Sequence, residues 1–346
     1  MLSNADLVVT STNNEIDAQY GLYDYYDPSR MAVIPPGTDL ETFQPYREDE
    51  QIPFREQVNR FLDQPDKPLI LALSRPDERK NVLALVEAYG ESPQLQDAAN
   101  LLIVVGNRDD IREMDDGAQG VLPNILLWID TYDLYGKVAI PKRHRPDEVP
   151  QIYRMVAQGG GVFINPALTE PFGLTLLEAA ASGLPLVATE NGGPVDIINN
   201  CNCGILVDPL DREQISDALL SLLSDRASWG RCSANGVKGV REHYSWEAHA
   251  RRHIDIVRGL AARSMPRTGE PSVPSAIRQR DRMFITDLDQ NLLGDPQSLS
   301  RFLQLMKEHR RRVSFGIATG RRIDTALAMM KKNGIPAPDV LISSLG

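Results

Sequence analysis

Cysteine is scarce in this chain: Cys201, Cys203 and Cys232 are the only three in 346 residues, too few for a disulfide scaffold. The lone Cys-x-Cys pair has no second ligand pair, so it reads as two small, partly buried thiols in a reducing compartment rather than as a zinc site. Long apolar runs are also missing. No stretch approaches the length of a membrane-spanning helix, and residues 1–20 have neither the basic start nor the apolar run of a secretion signal. No membrane partner is expected, and the cytoplasm is the expected location. Basic residues are in deficit, 37 Lys and Arg against 47 Asp and Glu, and the net charge of −10 argues against a nucleic-acid partner. That deficit leaves room for a local phosphate site.

The length suffices for two domains, and 42% hydrophobic with 24% charged residues is an ordinary globular composition. Charge is uneven: from Ser275 onward twelve Lys and Arg face seven Asp and Glu, which suggests a separate C-terminal unit. From Lys67 the chain alternates short, continuously apolar runs with helical stretches. Leu69 to Leu73, Leu101 to Val105, Val162 to Ile164 and Leu186 to Ala188 read as parallel strands covered on both faces, giving a doubly wound, Rossmann-like α/β sheet. Ala5 to Ser11 reads as a strand entering a helix, so the chain is expected to begin inside a domain; Val33 to Asp39 is a rigid turn-rich connection. A helix from Trp246 to Ala262 closes the main domain, and a Pro, Gly and Ser-rich linker follows. A second α/β unit opens with the strand Met283 to Thr286, passes through a helix near Ser298 to Arg310, and reaches a strand at Val313 to Ala318; it is expected to be incomplete.

The segment Thr169-Glu170-Pro171-Phe172-Gly173-Leu174-Thr175-Leu176-Leu177-Glu178 sets two carboxylates around a loop-to-helix junction. A helix from Leu174 to Ser182, stopped by Gly183-Leu184-Pro185, leaves the N–H groups of Phe172, Gly173 and Leu174 free at its N-terminus, where an anion is favoured. Such a junction suits a sugar nucleotide, one carboxylate facing a hexose and the other a ribose; alternatively Glu170 caps the helix and Glu178 is simply solvated. Arg75 and Lys80 lie in the loop leaving the first strand of the main domain, where open α/β sheets bind ligands, and both cations can converge on a diphosphate. Asn107 follows Gly106 at the end of the next strand. Lys142 and His144 belong to the run Ile140 to Arg145, either a base-recognition edge or a solvated basic loop. Gly192 and Gly193 bring bare backbone beside a sugar, or form a turn. In the C-terminal unit, Asp287 and Asp289 follow a strand in the pattern for phosphoryl transfer: the first as nucleophile and Mg²⁺ ligand, the second as general acid and base, with Thr319 donating to the phosphoryl group.

Together these motifs resemble the sucrose-phosphate synthase family, retaining glycosyltransferases of the two-domain GT-B architecture. The likeness is carried by Pro35 to Asp39, Ser74 to Asn81, Lys142 to His144, Asn165 to Glu178 and Thr189 to Pro194. Phe284 to Asp289 with Gly316 to Arg321 resembles the haloacid-dehalogenase-like sucrose-phosphate phosphatase domain that follows the synthase in such proteins. The resemblance implies glucose transfer from UDP-glucose, or ADP-glucose, to fructose 6-phosphate with retention. No cofactor is implied for that transfer; Mg²⁺ is implied at the phosphatase-like site, with Asp287 and Asp289 as an incomplete ligand set. Arg75, Lys80 and Glu170 would be catalytic, and Asn107, Lys142, His144, Phe172, Gly173, Leu174, Glu178, Gly192 and Gly193 would bind the donor. The expected domains are residues 1–36, the end of the acceptor domain and crossover; 37–262, the donor domain; 263–281, a linker; and 282–346, a partial phosphatase-like domain. The chain reads as a fragment lacking most of the acceptor domain. Sucrose synthase, another UDP-sugar glycosyltransferase of the clan, and a catalytically incomplete UDP-sugar-binding fragment are the alternatives.

Overall fold

Strand β1 (Val8–Thr10) pairs in parallel with β2 (Met31–Val33), and a helical stretch follows β1 as expected, π-helical at Glu15–Gln19 and 3-10 at Tyr20–Leu22. The computed structural model describes residues 5–23, 26–46, 50–263, 282–309 and 312–343, and the chain divides into two compact units, Met1–Ser264 and Met265–Gly346. That division falls inside the expected linker, of which 264–281 lies outside the described residues.

In the first unit the chain continues through α1 (Phe54–Asn59), β3 (Leu69–Ser74), α2 (Val82–Glu91), α3 (Pro93–Ala98), β4 (Asn100–Val105), α4 (Asp116–Thr131) and β5 (Val138–Ala139). It returns through α5 (Val149–Gln158), β6 (Val162–Asn165), α6 (Leu174–Ala181), β7 (Leu186–Thr189), α7 (Pro194–Cys201) and β8 (Gly204–Val207). Helices α8 (Arg212–Ser224), α9 (Arg226–His243) and α10 (Trp246–Arg263) close the unit. The six strands from β3 to β8 form one sheet, ordered β5-β4-β3-β6-β7-β8 and parallel throughout. The chain works outward from β3 to β5, then crosses back to β6 and works outward the other way. Its switch point lies between β3 and β6.

Alternation along the strands explains why they are apolar without a break. Leu69, Leu71, Leu102, Val104, Phe163 and Leu186 pack with α1, α5, α6 and α7 on one face. Their neighbours Ile70, Ala72, Leu101, Ile103, Val162 and Val187 pack with α2, α4 and α8 on the other. With no polar face to present, the central strands β3, β4, β6 and β7 are hydrophobic along their length and carry polar residues only at their ends, Asn100 at the start of β4 and Ser74, Asn165 and Thr189 at the carboxyl edge. The connection at Pro35 to Asp39 is tied to the start of α10: Thr38 N donates to Tyr244 O at 2.7 Å, and His249 Nδ1 lies 2.8 Å from Pro35 O.

The second unit carries β9 (Arg282–Thr286), α11 (Pro296–His309), β10 (Val313–Ala318), α12 (Ile323–Lys332) and β11 (Val340–Ile342). Its three parallel strands are ordered β11-β10-β9, and Leu288, Met306, Phe315, Ile317 and Met330 form its core.

Candidate active site

The loops after β3 and β6 leave the carboxyl edge of the sheet beside one another at the switch point, the crevice where such sheets bind ligands. In the β3 loop, Asp77 accepts from Arg79 N at 2.9 Å and from its guanidinium at 3.1 and 2.7 Å; those side-chain bonds hold the Asp77 carboxyl well below the usual range. The next residue, Lys80, turns to the β6 loop. Its Nζ donates to Glu170 Oε2 at 2.7 Å, and Asn165 Nδ2 donates to the same oxygen at 3.0 Å. Asn81 adopts a left-handed conformation, φ 54°, and its Nδ2 donates to Pro166 O at 3.0 Å and Pro209 O at 2.8 Å. Arg75 is exposed and acts on Asp77 through its charge. The Lys80 cation is therefore not paired side by side with Arg75; its direct partner is a carboxylate ninety residues away in sequence.

Glu170 is 8% exposed, and its backbone is held as firmly as its side chain. Its N–H donates to Asn191 O at 3.0 Å and its carbonyl accepts from Gly193 N at 2.9 Å. Gly192 has φ 116°, and a Cβ there would lie 2.2 Å from Glu170 O; a Cβ on Gly193 would lie 2.5 Å from Phe172 O. The two glycines thus make room for the backbone of 170–172, which neither the sugar nor the simple turn reading had anticipated. The reading of Glu170 as a helix cap is corrected: Gly173, left-handed at φ 104°, is the N-cap of α6 and no side chain caps that end. The N–H groups of Phe172, Gly173 and Leu174 meet no acceptor among the described residues, so the end of α6 keeps its positive pole. Leu174 is exposed, and Phe172 packs against Tyr244 with ring centroids 6.5 Å apart.

The alternative of a solvated Glu178 is likewise corrected. The residue is half-buried, its Oε2 accepts from Tyr153 Oη at 3.2 Å, and burial pushes its carboxyl up from 4.5 to about 7, against the lowering effect of that bond.

At the neighbouring strand ends, Asn107 Oδ1 accepts from His144 N at 2.7 Å, and Arg108 N donates to Lys142 O at 2.9 Å. Lys142 Nζ donates to Asp109 O at 3.3 Å, and Arg143 pairs with the Asp109 carboxylate. Burial pushes the His144 imidazole down, with Glu148 opposing. Beneath them Arg108 is 7% exposed, and its guanidinium donates to Pro141 O at 3.1 Å and Ile140 O at 3.0 Å. The loops after β4 and β5 are thereby fastened together. Arg108 escaped the reading of the sequence, although a cation three residues beyond the apolar run Leu101 to Val105 was a signal for it. Tyr153 escaped as well, since its place on the apolar stripe of α5 looks like ordinary core.

In the second unit, Asp289 is held on both oxygens by Arg321, Nε and Nη2 each at 2.7 Å, which lowers its proton affinity. Asp287 Oδ1 accepts from Leu288 N at 2.6 Å, and the buried Thr319 accepts from Arg321 N at 3.2 Å. Among the described residues no three His, Cys, Asp or Glu gather where they could hold a metal ion. With Asp289 engaged by Arg321, the described residues of this unit do not by themselves make up a Mg²⁺ ligand set.

A six-stranded parallel sheet in this order, with its loops meeting at one switch point, is the α/β architecture of a GT-B glycosyltransferase. Residues 54–239 match the family model of glycosyl transferases group 1, and the chain belongs to that family. Residues 280–346 match the model of sucrose-6F-phosphate phosphohydrolase, in keeping with a unit of haloacid-dehalogenase type. Among curated relatives, sucrose-phosphate synthase 4 of Arabidopsis thaliana is 48% identical over 296 residues, 74% of this chain; the chain spans 28% of that relative's length. Sucrose-phosphate synthase from Thermosynechococcus elongatus superposes with a TM-score of 0.61 at 29% identity, covering 76% of this chain and 60% of that one. HepE of Anabaena, solved in complex with UDP and glucose, shares the fold at a TM-score of 0.60 and 16% identity, over 74% of this chain and 64% of its own. No helix among the described residues is long and apolar enough to cross a membrane.

Proposed function

We propose that this chain carries the donor site of a sucrose-phosphate-synthesising enzyme, which transfers glucose from UDP-glucose or ADP-glucose to fructose 6-phosphate with retention. The observation that carries this reading is the Lys80–Glu170 pair, set beside the free N-terminus of α6 at the switch point; the names of the relatives supply the acceptor. Lys80, Arg75 and the N–H groups of Phe172, Gly173 and Leu174 act on the diphosphate, where negative charge grows as the glycosidic bond breaks. Glu170 accepts from the glucose hydroxyls, and Asn165 with the backbone around Gly192 and Gly193 keeps it in place. Glu178 accepts from the ribose. Asn107, Lys142 and His144 border the base, and the acceptor attacks from the face that the leaving group vacates.

Calorimetric titration with UDP, UDP-glucose and ADP-glucose tests the assignment. The wild type binds at least one of them, and a double variant, Lys80→Ala with Glu178→Ala, binds at least about tenfold more weakly, a loss of about 1.4 kcal/mol. Absence of wild-type binding to every nucleotide at about 1 mM, where even a 4 kcal/mol interaction is visible, rules the donor site out.

A further inference from the structure

Tyr153 is wholly buried on α5, edge-on to Phe163 of β6 with centroids 5.6 Å apart and to Phe43 with centroids 6.1 Å apart. A ring wedged from two sides cannot swing, so its hydroxyl has a fixed aim, and that aim is Glu178 Oε2 at 3.2 Å. Burial raises the phenol's own proton affinity well above the ordinary value, so the hydroxyl stays a donor. Glu178 projects from α6, against which α5, α7, α9, β6 and β7 pack. Among the described residues of those elements, Tyr153 is the one titratable or charged group that acts on it. An ionised carboxylate offers about four acceptor positions. Tyr153 takes one on Oε2, and Oε1 stays available.

We propose that Tyr153 is a positioning residue for the sugar nucleotide, anchoring one oxygen of Glu178 so that the carboxylate accepts from a vicinal diol of the ligand. The proposal rests on the donor-site reading given above. It makes donor affinity depend on the protonation of Glu178: the neutral acid loses an acceptor position, and the Tyr153 bond favours the charged form.

UDP affinity of the full chain, measured by calorimetry between pH 6 and 8.5 for wild type, Tyr153→Phe and Glu178→Gln, tests this. Tyr153→Phe weakens binding at pH 7 by roughly five- to tenfold, the worth of one ordinary hydrogen bond. It also moves the acid limb of the affinity profile to higher pH. Glu178→Gln flattens the protein's share of the profile, leaving the titration of the ligand's own phosphate. The folded fraction of each variant, read by circular dichroism at every pH, corrects the apparent affinities, so partial unfolding of Tyr153→Phe does not mask the result. A variant that melts earlier yet keeps the wild-type limb shows a packing role alone and overturns the proposal. A wild type that binds no UDP at any pH brings down the donor-site reading and this inference with it.

Discussion

Replacing Lys80 by methionine keeps the length of the side chain and removes the ammonium 2.7 Å from Glu170 Oε2. The Glu170 side chain is 11% exposed and that of Lys80 23%, so the carboxylate left behind sits largely out of water. Opening a buried ion pair from one side costs about 3–5 kcal/mol. Here Asn165 still donates at 3.0 Å, and the residual exposure admits some solvent, which together bring the loss to about 2–3 kcal/mol. For a unit of this size each kcal/mol moves the melting midpoint by roughly 2–4 °C, so a fall of about 5–10 °C is expected. Tryptophan fluorescence reports unfolding directly, since Trp128, Trp229 and Trp246 all belong to this unit. A cycle with Glu170→Gln should return a coupling of at least about 1.5 kcal/mol, because the neutral amide no longer needs a counter-ion. A shift under about 1 °C with coupling near zero would place the pair among exposed ion pairs and refute the reasoning.

Two further outcomes follow from the same loops. The Glu178 carboxyl is raised from 4.5 to about 7 by burial, so the folded protein binds that proton more tightly than the unfolded chain does. Stability from this group is therefore present at acid pH and falls as pH rises through that interval; Glu178→Gln should be near neutral at pH 4.5 and stabilising by up to about 3 kcal/mol at pH 8 in urea titrations. Equal effects at both pH values would show that Glu178 is not perturbed. Gly192→Ala, at φ 116° with a Cβ 2.2 Å from Glu170 O, should destabilise by about 3 kcal/mol or more, whereas Gly334→Ala, at φ 67° in open space, should cost about 1 kcal/mol. A loss of about 1 kcal/mol or less for Gly192→Ala in the unfolding of the first unit would mean that the 170–172 backbone yields easily.

The parts of the fold legible in the sequence were those whose physics is local. β3, β4, β6 and β7 are buried on both faces, and an unbroken apolar run announces such a strand. β5 has only two residues, while β8 and β11 are mostly half-buried or exposed, and none gave a run to notice. At the site, spacing located Lys80, Glu170 and Glu178 but could not pair them. Lys80 looked like a companion of Arg75 five residues away and is bonded to Glu170; Glu178 looked free and is bonded to a tyrosine of the preceding helix. Those contacts depend on which loops the sheet order makes neighbours. Gly192 and Gly193 carried the right signal of close approach, but what approaches is the chain itself.

Asn81 gathers three loops onto one amide group. From a left-handed backbone it reaches the carbonyls of Pro166 and Pro209, and so joins the loops that follow β3, β6 and β8. Three segments distant in sequence therefore share a single anchor and lose their freedom together when the unit folds. Fixing a loop residue costs about 1–2 kcal/mol of entropy. Because that cost falls on folding, a ligand entering the crevice meets a floor already set, and its binding energy remains available for its own orientation.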